Sequence, residues 1–92
     1  MGYDGPATSP IGEIVKQTQP GYYESIKVTG SAEKEFVDIR QYLDVAGDKP
    51  FKGVTRKGVR LQKHEAIQLI KMIPSIRNLL QITDEDLQDE ED

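Results

Sequence analysis

Apolar and polar positions alternate from Tyr22 to Thr29. In YYESIKVT, Ile26 and Val28 share one face with Glu24, while Tyr23, Ser25, Lys27 and Thr29 share the other. A period of two is the pattern of a half-buried strand. Gly30-Ser31-Ala32-Glu33-Lys34 reads as a turn, after which EFVDIRQYL resumes the alternation. Val37, Ile39 and Leu43 lie with Gln41 on one side, and Phe36, Asp38, Arg40 and Tyr42 on the other. DVAGDKP has the composition of a loop. FKGVTRKGVRL then reads as two short strands hinged near Lys57-Gly58, where glycine tolerates the positive φ of a tight turn.

After Leu61 the period changes to about 3.6. Ile67, Ile70 and Ile73, with Leu69, Met72 and Ile76, form an apolar stripe wider than a single seam, and Leu79 and Leu80 extend it. Gln62 with Glu65 three positions later has the spacing of a capping box. Pro74 lacks an amide hydrogen and disfavours helical geometry at Ile73, so the helix is expected to kink or restart there.

Residues 1–21 hold Gly2, Gly5, Pro6, Pro10, Gly12, Pro20 and Gly21, punctuation too dense for a long element. They are expected to form a flexible arm whose short apolar cluster, Ile11, Ile14 and Val15, docks on the body. The expected fold is therefore α+β: over residues 22–82, a four-stranded antiparallel curved sheet followed by one kinked amphipathic helix on one face of the sheet. A lone chain of 92 residues buries only about 60% of its unfolded surface. With no cysteine to supply disulfides or thiolate zinc sites, a two-fold dimer is the expected remedy, with Leu69, Ile70, Ile73, Ile76 and Leu80 at its interface.

Charge is segregated along the chain. The net charge is −4, yet seven of the sixteen carboxylates lie in the last ten residues (Asp84, Glu85, Asp86, Asp89, Glu90, Glu91, Asp92), where there is no base. Residues 1–82 keep nine acids against twelve bases, a net of +3. Residues 83–92 are expected to be a disordered acidic tail. The start MGYDGPATSP lacks the features of a signal peptide, and no run of apolar residues is long enough to span a membrane, so an intracellular protein is expected, cytoplasmic or nucleoid-associated.

Catalysis is not expected. The single histidine, His64, stands at the start of the helix among Gln62, Lys63 and Glu65 and reads as a solvated first-turn residue. KGVTRKG fits neither GxxxxGK[ST] nor GxGxxG. The tail carboxylates have no scaffold to fix the separation that acid–base pairs require, and they lack the glycine and spacing of a calcium loop. No cofactor and no metal is expected.

From Lys49 to Lys63 there are six cations (Lys49, Lys52, Arg56, Lys57, Arg60, Lys63) and no carboxylate. Cations on short strands and turns, with Phe51 between Lys49 and Lys52, suit a surface that meets phosphates with charge and bases with flat side chains, without reading sequence. Single strands are favoured over duplex, since no helix is basic along a face suited to the major groove. Asp38 and Arg40, two apart on one strand face, either pair with each other or leave Arg40 for nucleic acid; the sequence leaves both open.

The ordered combination of Val37-Asp38-Ile39-Arg40-Gln41-Tyr42, the basic turn Arg56-Lys57-Gly58-Val59-Arg60-Leu61 and a helix containing MIPSI resembles the C-terminal domain of the transcriptional coactivator positive cofactor four, over roughly residues 22–80. The resemblance implies a homodimer of curved four-stranded sheets with helices at the interface, binding single-stranded DNA without sequence preference. It also implies DNA contact by Arg56 and Lys57 and by Lys34 at the tip of the first hairpin. Leu43 stands where many members have a stacking tryptophan, and Ser31-Ala32 fill a tip that often carries an aromatic and a lysine, which shifts stacking toward Phe51, Tyr22 or Tyr42.

The expected nucleic-acid-binding set is thus Lys27, Lys34, Arg40, Tyr42, Lys49, Phe51, Lys52, Arg56, Lys57 and Arg60. The expected role is a non-enzymatic single-stranded DNA-binding protein of replication, recombination or transcription, of bacterial or phage type. RNA is the other possible ligand, and the acidic tail is expected to recruit a replication or transcription protein and to compete with DNA for the basic groove. The alternative is a protein-interaction module that regulates RNA polymerase through its helix and acidic tail and touches no DNA.

Overall fold

The computed structural model describes residues 8–88. Four strands, β1 (Ser9–Gln19), β2 (Tyr22–Ser31), β3 (Phe36–Val45) and β4 (Phe51–Gln62), precede a long helix α1 (Lys63–Leu79) and a single helical turn α2 (Asp84–Leu87). The strands form one open antiparallel sheet in the order β1-β2-β3-β4. The expected four-stranded antiparallel sheet followed by a helix is present, but its first and last strands are not those the sequence suggested.

The supposed N-terminal arm is strand β1 over residues 9–19. Its glycines and prolines are positional: Pro10 opens an edge strand that has no need of its N–H, and the dipeptide Pro20-Gly21 is the whole connection to β2, since Gln19 pairs directly with Tyr22. Proline presets a φ near −65° at the first turn position, and Gly21 takes φ +79° at the second, the combination of a type II turn. Residues 1–7 of that arm lie outside the described residues. Two register shifts, between Pro10 and Gly12 and between Val15 and Gln17, break the alternation of β1.

The second departure is β4, which is one continuous strand rather than two joined by a turn. Arg40 pairs with Gly58 and Tyr42 with Val54, so Gln41 alone opposes Thr55, Arg56 and Lys57. Inside this bulge the Lys57 N–H donates to Thr55 Oγ1 at 3.0 Å, and one Arg40 guanidinium N–H donates to the Arg56 carbonyl at 3.2 Å. Gly58 serves close approach, because a Cβ there would stand 2.4 Å from the Ile39 carbonyl oxygen and 2.8 Å from the Arg40 Cα.

The Glu65 carboxylate accepts the Gln62 N–H at 2.9 Å, as the capping-box spacing implied. α1 runs unbroken through Pro74 instead of restarting there. It ends in a Schellman motif built without glycine: Ile82 N–H donates to the Arg77 carbonyl, Gln81 N–H to the Asn78 carbonyl, and Gln81 adopts φ +53°. In the expected acidic tail, Asp84–Leu87 is helical rather than irregular, capped by Thr83 Oγ1, which accepts from the Asp86 N–H, while the Asp86 carboxylate accepts from the Thr83 N–H. Residues 89–92 lie outside the described residues.

α1 does not lie on the face of its own sheet, as the sequence had suggested. No connector separates β4 from α1, and the helix touches only β3 and β4. Among its residues only Ala66 and Arg77 are half-buried, and all the others are exposed. Leu69, Ile70, Ile73, Ile76 and Leu80 are all exposed, Ile70 and Leu80 at 63%. Phe36 is the one buried hydrophobic residue of the described chain, and the Cα radius of gyration is 15.8 Å, against about 12 Å for a compact chain of this length.

Gly58→Ala is expected to lower stability by about 1–3 kcal/mol, the usual cost of forcing extra atoms against backbone. The urea midpoint at fixed protein concentration reads it; an unchanged midpoint would mean that β4 slides freely past Ile39.

Candidate nucleic-acid interface

The pairing register sorts side chains onto the two faces of the sheet. Ser25 pairs with Tyr42, Lys27 with Arg40, Thr29 with Asp38, and Asp38 in turn with Arg60, so these residues share one face with Tyr23, Phe36, Lys52 and, on β1, Glu13. Ile26, Val28, Val37, Ile39, Leu43, Val45, Val59 and Leu61 occupy the opposite, aliphatic face with Ile14. None of these aliphatic residues is buried.

The polar face is held by contacts between strands. Asp38, which is buried, accepts two hydrogen bonds from Arg40, Nη2 to Oδ1 at 2.9 Å and Nε to Oδ2 at 3.0 Å, and a third from Arg60 Nε at 3.4 Å. The hydrogen bonds from Arg40, with the charges of both arginines, hold the Asp38 carboxyl below its ordinary value, and Asp38 raises that of Arg40. Arg60 also lies over the Phe36 ring, 4.0 Å from its centre. Lys27 Nζ stands 4.2 Å from the centre of the Tyr42 ring, whose edge-to-face neighbour is Tyr23 at 6.2 Å and 75°.

Glu13 reaches across from β1. It accepts from Ser25 Oγ at 2.6 Å and from the Tyr23 hydroxyl at 2.8 Å. These two hydrogen bonds lower the Glu13 carboxyl, the one from Ser25 most, and the same carboxylate raises Tyr23. The side chain of Ser25 is fully buried beneath this contact. Strand β1 therefore fixes the orientation of Tyr23, which in turn backs Tyr42.

Of the expected binding residues, the polar face gathers Lys27, Arg40, Tyr42, Lys52 and Arg60. It does not gather the others. Lys34 sits in the β2–β3 turn, where its N–H donates to Ser31 Oγ at 3.1 Å, and Lys49 sits in the β3–β4 loop. Arg56 lies in the bulge. Phe51 pairs with Val45 and points to the aliphatic face, and Lys57 lines a cleft on that face with Lys16, Glu24, Ile26, Ile39, Gln41 and Val59. Tyr23 and Phe36, outside the expected set, share this face, where the alternation of β2 and β3 already places them beside Lys27 and Arg40.

The aliphatic face is not wholly apolar. Gln41 Nε2 donates to Glu24 Oε2 at 2.9 Å, and Thr55 Oγ1 donates to Gln41 Oε1 at 2.9 Å, so a polar thread crosses it. The hydrogen bond from Gln41 is the main cause that lowers the Glu24 carboxyl.

Among the described residues no ion pair is formed by Lys27, Lys34, Lys49, Lys52, Arg56 or Lys57, whereas Arg40 and Arg60 are both engaged by Asp38. The pairing alternative for Asp38 and Arg40 is thus the arrangement present. No helix of the described residues is long and apolar enough to cross a membrane.

Asp38→Asn is expected to cost about 1–3 kcal/mol, since charge-assisted bonds become neutral ones and two guanidinium groups lose their counter-charge. The contribution is complete above the unfolded carboxylate value of about 3.9 and is lost as pH falls through the lower folded value. Stability of the wild type should therefore fall in that acid window while the variant stays flatter. Urea midpoints from pH 2 to 6 compare them, and parallel curves would remove Asp38 as the cause.

No family model matches the chain, nor does any curated protein or solved structure.

Proposed function

We propose that this protein is a non-enzymatic, single-stranded DNA-binding protein that acts as a homodimer, without sequence preference, in replication, recombination or transcription, in the manner of the positive cofactor four type. The observation that carries this reading is the segregation of the two sheet faces. One face brings Tyr23 and Tyr42, and the Arg60 guanidinium that lies over the buried Phe36 ring, together with Lys27, Arg40 and Lys52, among the carboxylates of Glu13, Asp38 and Asp44. Flat side chains with cations beside them offer bases a stacking surface and phosphates a counter-charge, and neither contact depends on base identity.

The dimer half of the proposal rests on two bare apolar surfaces in one chain. The aliphatic sheet face and the α1 stripe of Leu69, Ile70, Ile73 and Ile76 complement each other, and α1 starts with no connector that would turn it onto its own sheet. A two-fold arrangement in which each α1 covers the partner's aliphatic face buries both surfaces and leaves both polar faces open. The same exposed stripe favours the rival reading, a protein-interaction module that works through α1 and the acidic segment without DNA.

A fluorescent oligo(dT) titration separates the two readings. The expected result is micromolar or tighter binding that weakens with salt, with duplex of equal length far weaker; oligo(U) in parallel sets RNA against DNA. Tyr42→Ala is expected to weaken binding by about 1–3 kcal/mol, the worth of one stacked base. Absence of binding at low salt, with the chain folded, would leave the interaction module as the reading. For the dimer, sedimentation equilibrium is expected to give twice the chain mass, and Ile73→Asp to yield monomer or unfolded chain. A folded wild-type monomer at micromolar concentration would overturn it.

A further inference from the structure

An aliphatic side chain, Val54, stands in water on the polar face. It pairs with Tyr42 across β3 and β4, and directly paired side chains on one face lie about 5 Å apart at Cβ. Val54 is 55% exposed. A second exposed valine, Val15, pairs with Ser25, which pairs in turn with Tyr42. The Ser25 side chain is fully buried, so this row across the four strands presents Val15, Tyr42 and Val54. The proposed dimer covers the opposite face and leaves both valines in water.

The other neighbours of Tyr42 on this face are charged or aromatic. Arg40 and Asp44 flank it along β3, Lys27 and Tyr23 lie diagonally on β2, and Lys52 lies diagonally on β4. Among the described residues Val54 is thus the one aliphatic side chain next to the ring. Lys27 Nζ, 4.2 Å from the ring centre, forms no ion pair among the described residues and is free to pass to a phosphate when a base takes its place. A base lying on Tyr42 then turns one edge to Val54. The C5-methyl group of thymine is the base-edge group that gains from apolar contact, whereas an amino or carbonyl group there would lose water without finding a partner. From this juxtaposition we infer that the Tyr42 platform takes thymine in preference to uracil, with Val54 receiving the 5-methyl group. RNA uracil lacks that methyl, so the same contact favours single-stranded DNA over RNA. The inference rests on the reading of this face as the single-strand site. It concerns one substituent of one base and leaves the order of bases unread.

Matched oligo(dT) and oligo(dU), which differ only in the methyl group, test this on the full chain. Oligo(dT) is expected to bind about fourfold more tightly for each platform occupied, the worth of one methyl group taken out of water. Val54→Thr keeps the branching of valine and puts a hydroxyl where one methyl stood. It is expected to bind oligo(dU) as the wild type does and to bring oligo(dT) down to the same affinity. Val15→Thr makes the same change two strands from Tyr42 and is expected to keep the preference. On the wild type alone, an oligomer of 5-hydroxymethyldeoxyuridine, whose added hydroxyl meets Val54 without a partner, is expected to bind no more tightly than oligo(dU). Equal binding of oligo(dT) and oligo(dU) by the wild type would overturn the inference and spare the single-strand reading. So would a preference that Val54→Thr leaves unchanged, which would belong to the stack alone, a preference lost in Val15→Thr, or a hydroxymethyl oligomer that binds like oligo(dT). Failure of the folded wild type to bind any of these oligomers would end the single-strand reading itself, and the inference with it.

Discussion

The direct passage from β4 into α1 governs the rest of the molecule. Gln62 is still paired with Phe36 when Lys63 begins the helix. Reversing a chain so that a helix lies back on its own sheet takes a loop of several residues. With none available, the apolar stripe of α1 and the aliphatic face of the sheet cannot satisfy each other within one chain. Among the described residues Phe36 alone of the hydrophobic side chains is buried, and the radius of gyration exceeds that of a compact chain. At about 0.8 kcal/mol for each methylene left in water, such a lone chain forgoes much of what normally offsets backbone entropy.

In the proposed dimer, which face of the sheet would turn inward follows from what each would lose. Covering the aliphatic face removes Ile26, Val28, Val37, Ile39 and Val59 from water and disturbs only the thread through Glu24, Gln41 and Thr55. Covering the other face would desolvate Asp38, Arg40, Arg60, Lys27, Lys52 and Glu13 together. Buried ion pairs seldom recover their desolvation, and a triad with two cations to one carboxylate carries a surplus charge besides. The polar face therefore belongs to solvent or to a charged ligand.

The strands legible in the sequence were those whose alternation is unbroken. β2 and β3 pair residue for residue from Tyr22↔Val45 to Ser31↔Phe36, so their face assignments survive in space. β1 was hidden because its two register shifts take Ile11 and Lys16 out of phase, and because Pro20-Gly21, a turn, looked like further disorder in an arm. β4 was divided because Gly58 suggested a turn, whereas its missing Cβ answers to the Ile39 carbonyl. Phe51 and Lys57 were placed in the site by proximity in sequence, and β-sheet parity puts them on the other side. The same parity places Tyr23 and Phe36 beside Lys27 and Arg40, on strands outside the basic run of residues 49–63.

The ion triad also bears on how a single strand would lie under the proposed function. Asp38 engages Arg40 and Arg60, and Arg60 in turn packs flat on Phe36, so the guanidinium planes near the middle of the face are fixed and partly neutralised. Cations without ion-pair partners among the described residues are Lys27, beside Arg40 and over Tyr42, and, farther out, Lys52, Arg56 in the bulge, Lys34 in the β2–β3 turn and Lys49 in the β3–β4 loop. A phosphate gains most from a cation that has no counter-charge of its own, and a base gains most from a fixed flat surface. The arrangement therefore favours bases turned toward Tyr42, Tyr23 and the Phe36–Arg60 stack, with the sugar-phosphate chain following the lysines around them. Binding of that kind separates single strands from duplex by geometry, since paired bases have no exposed faces to give.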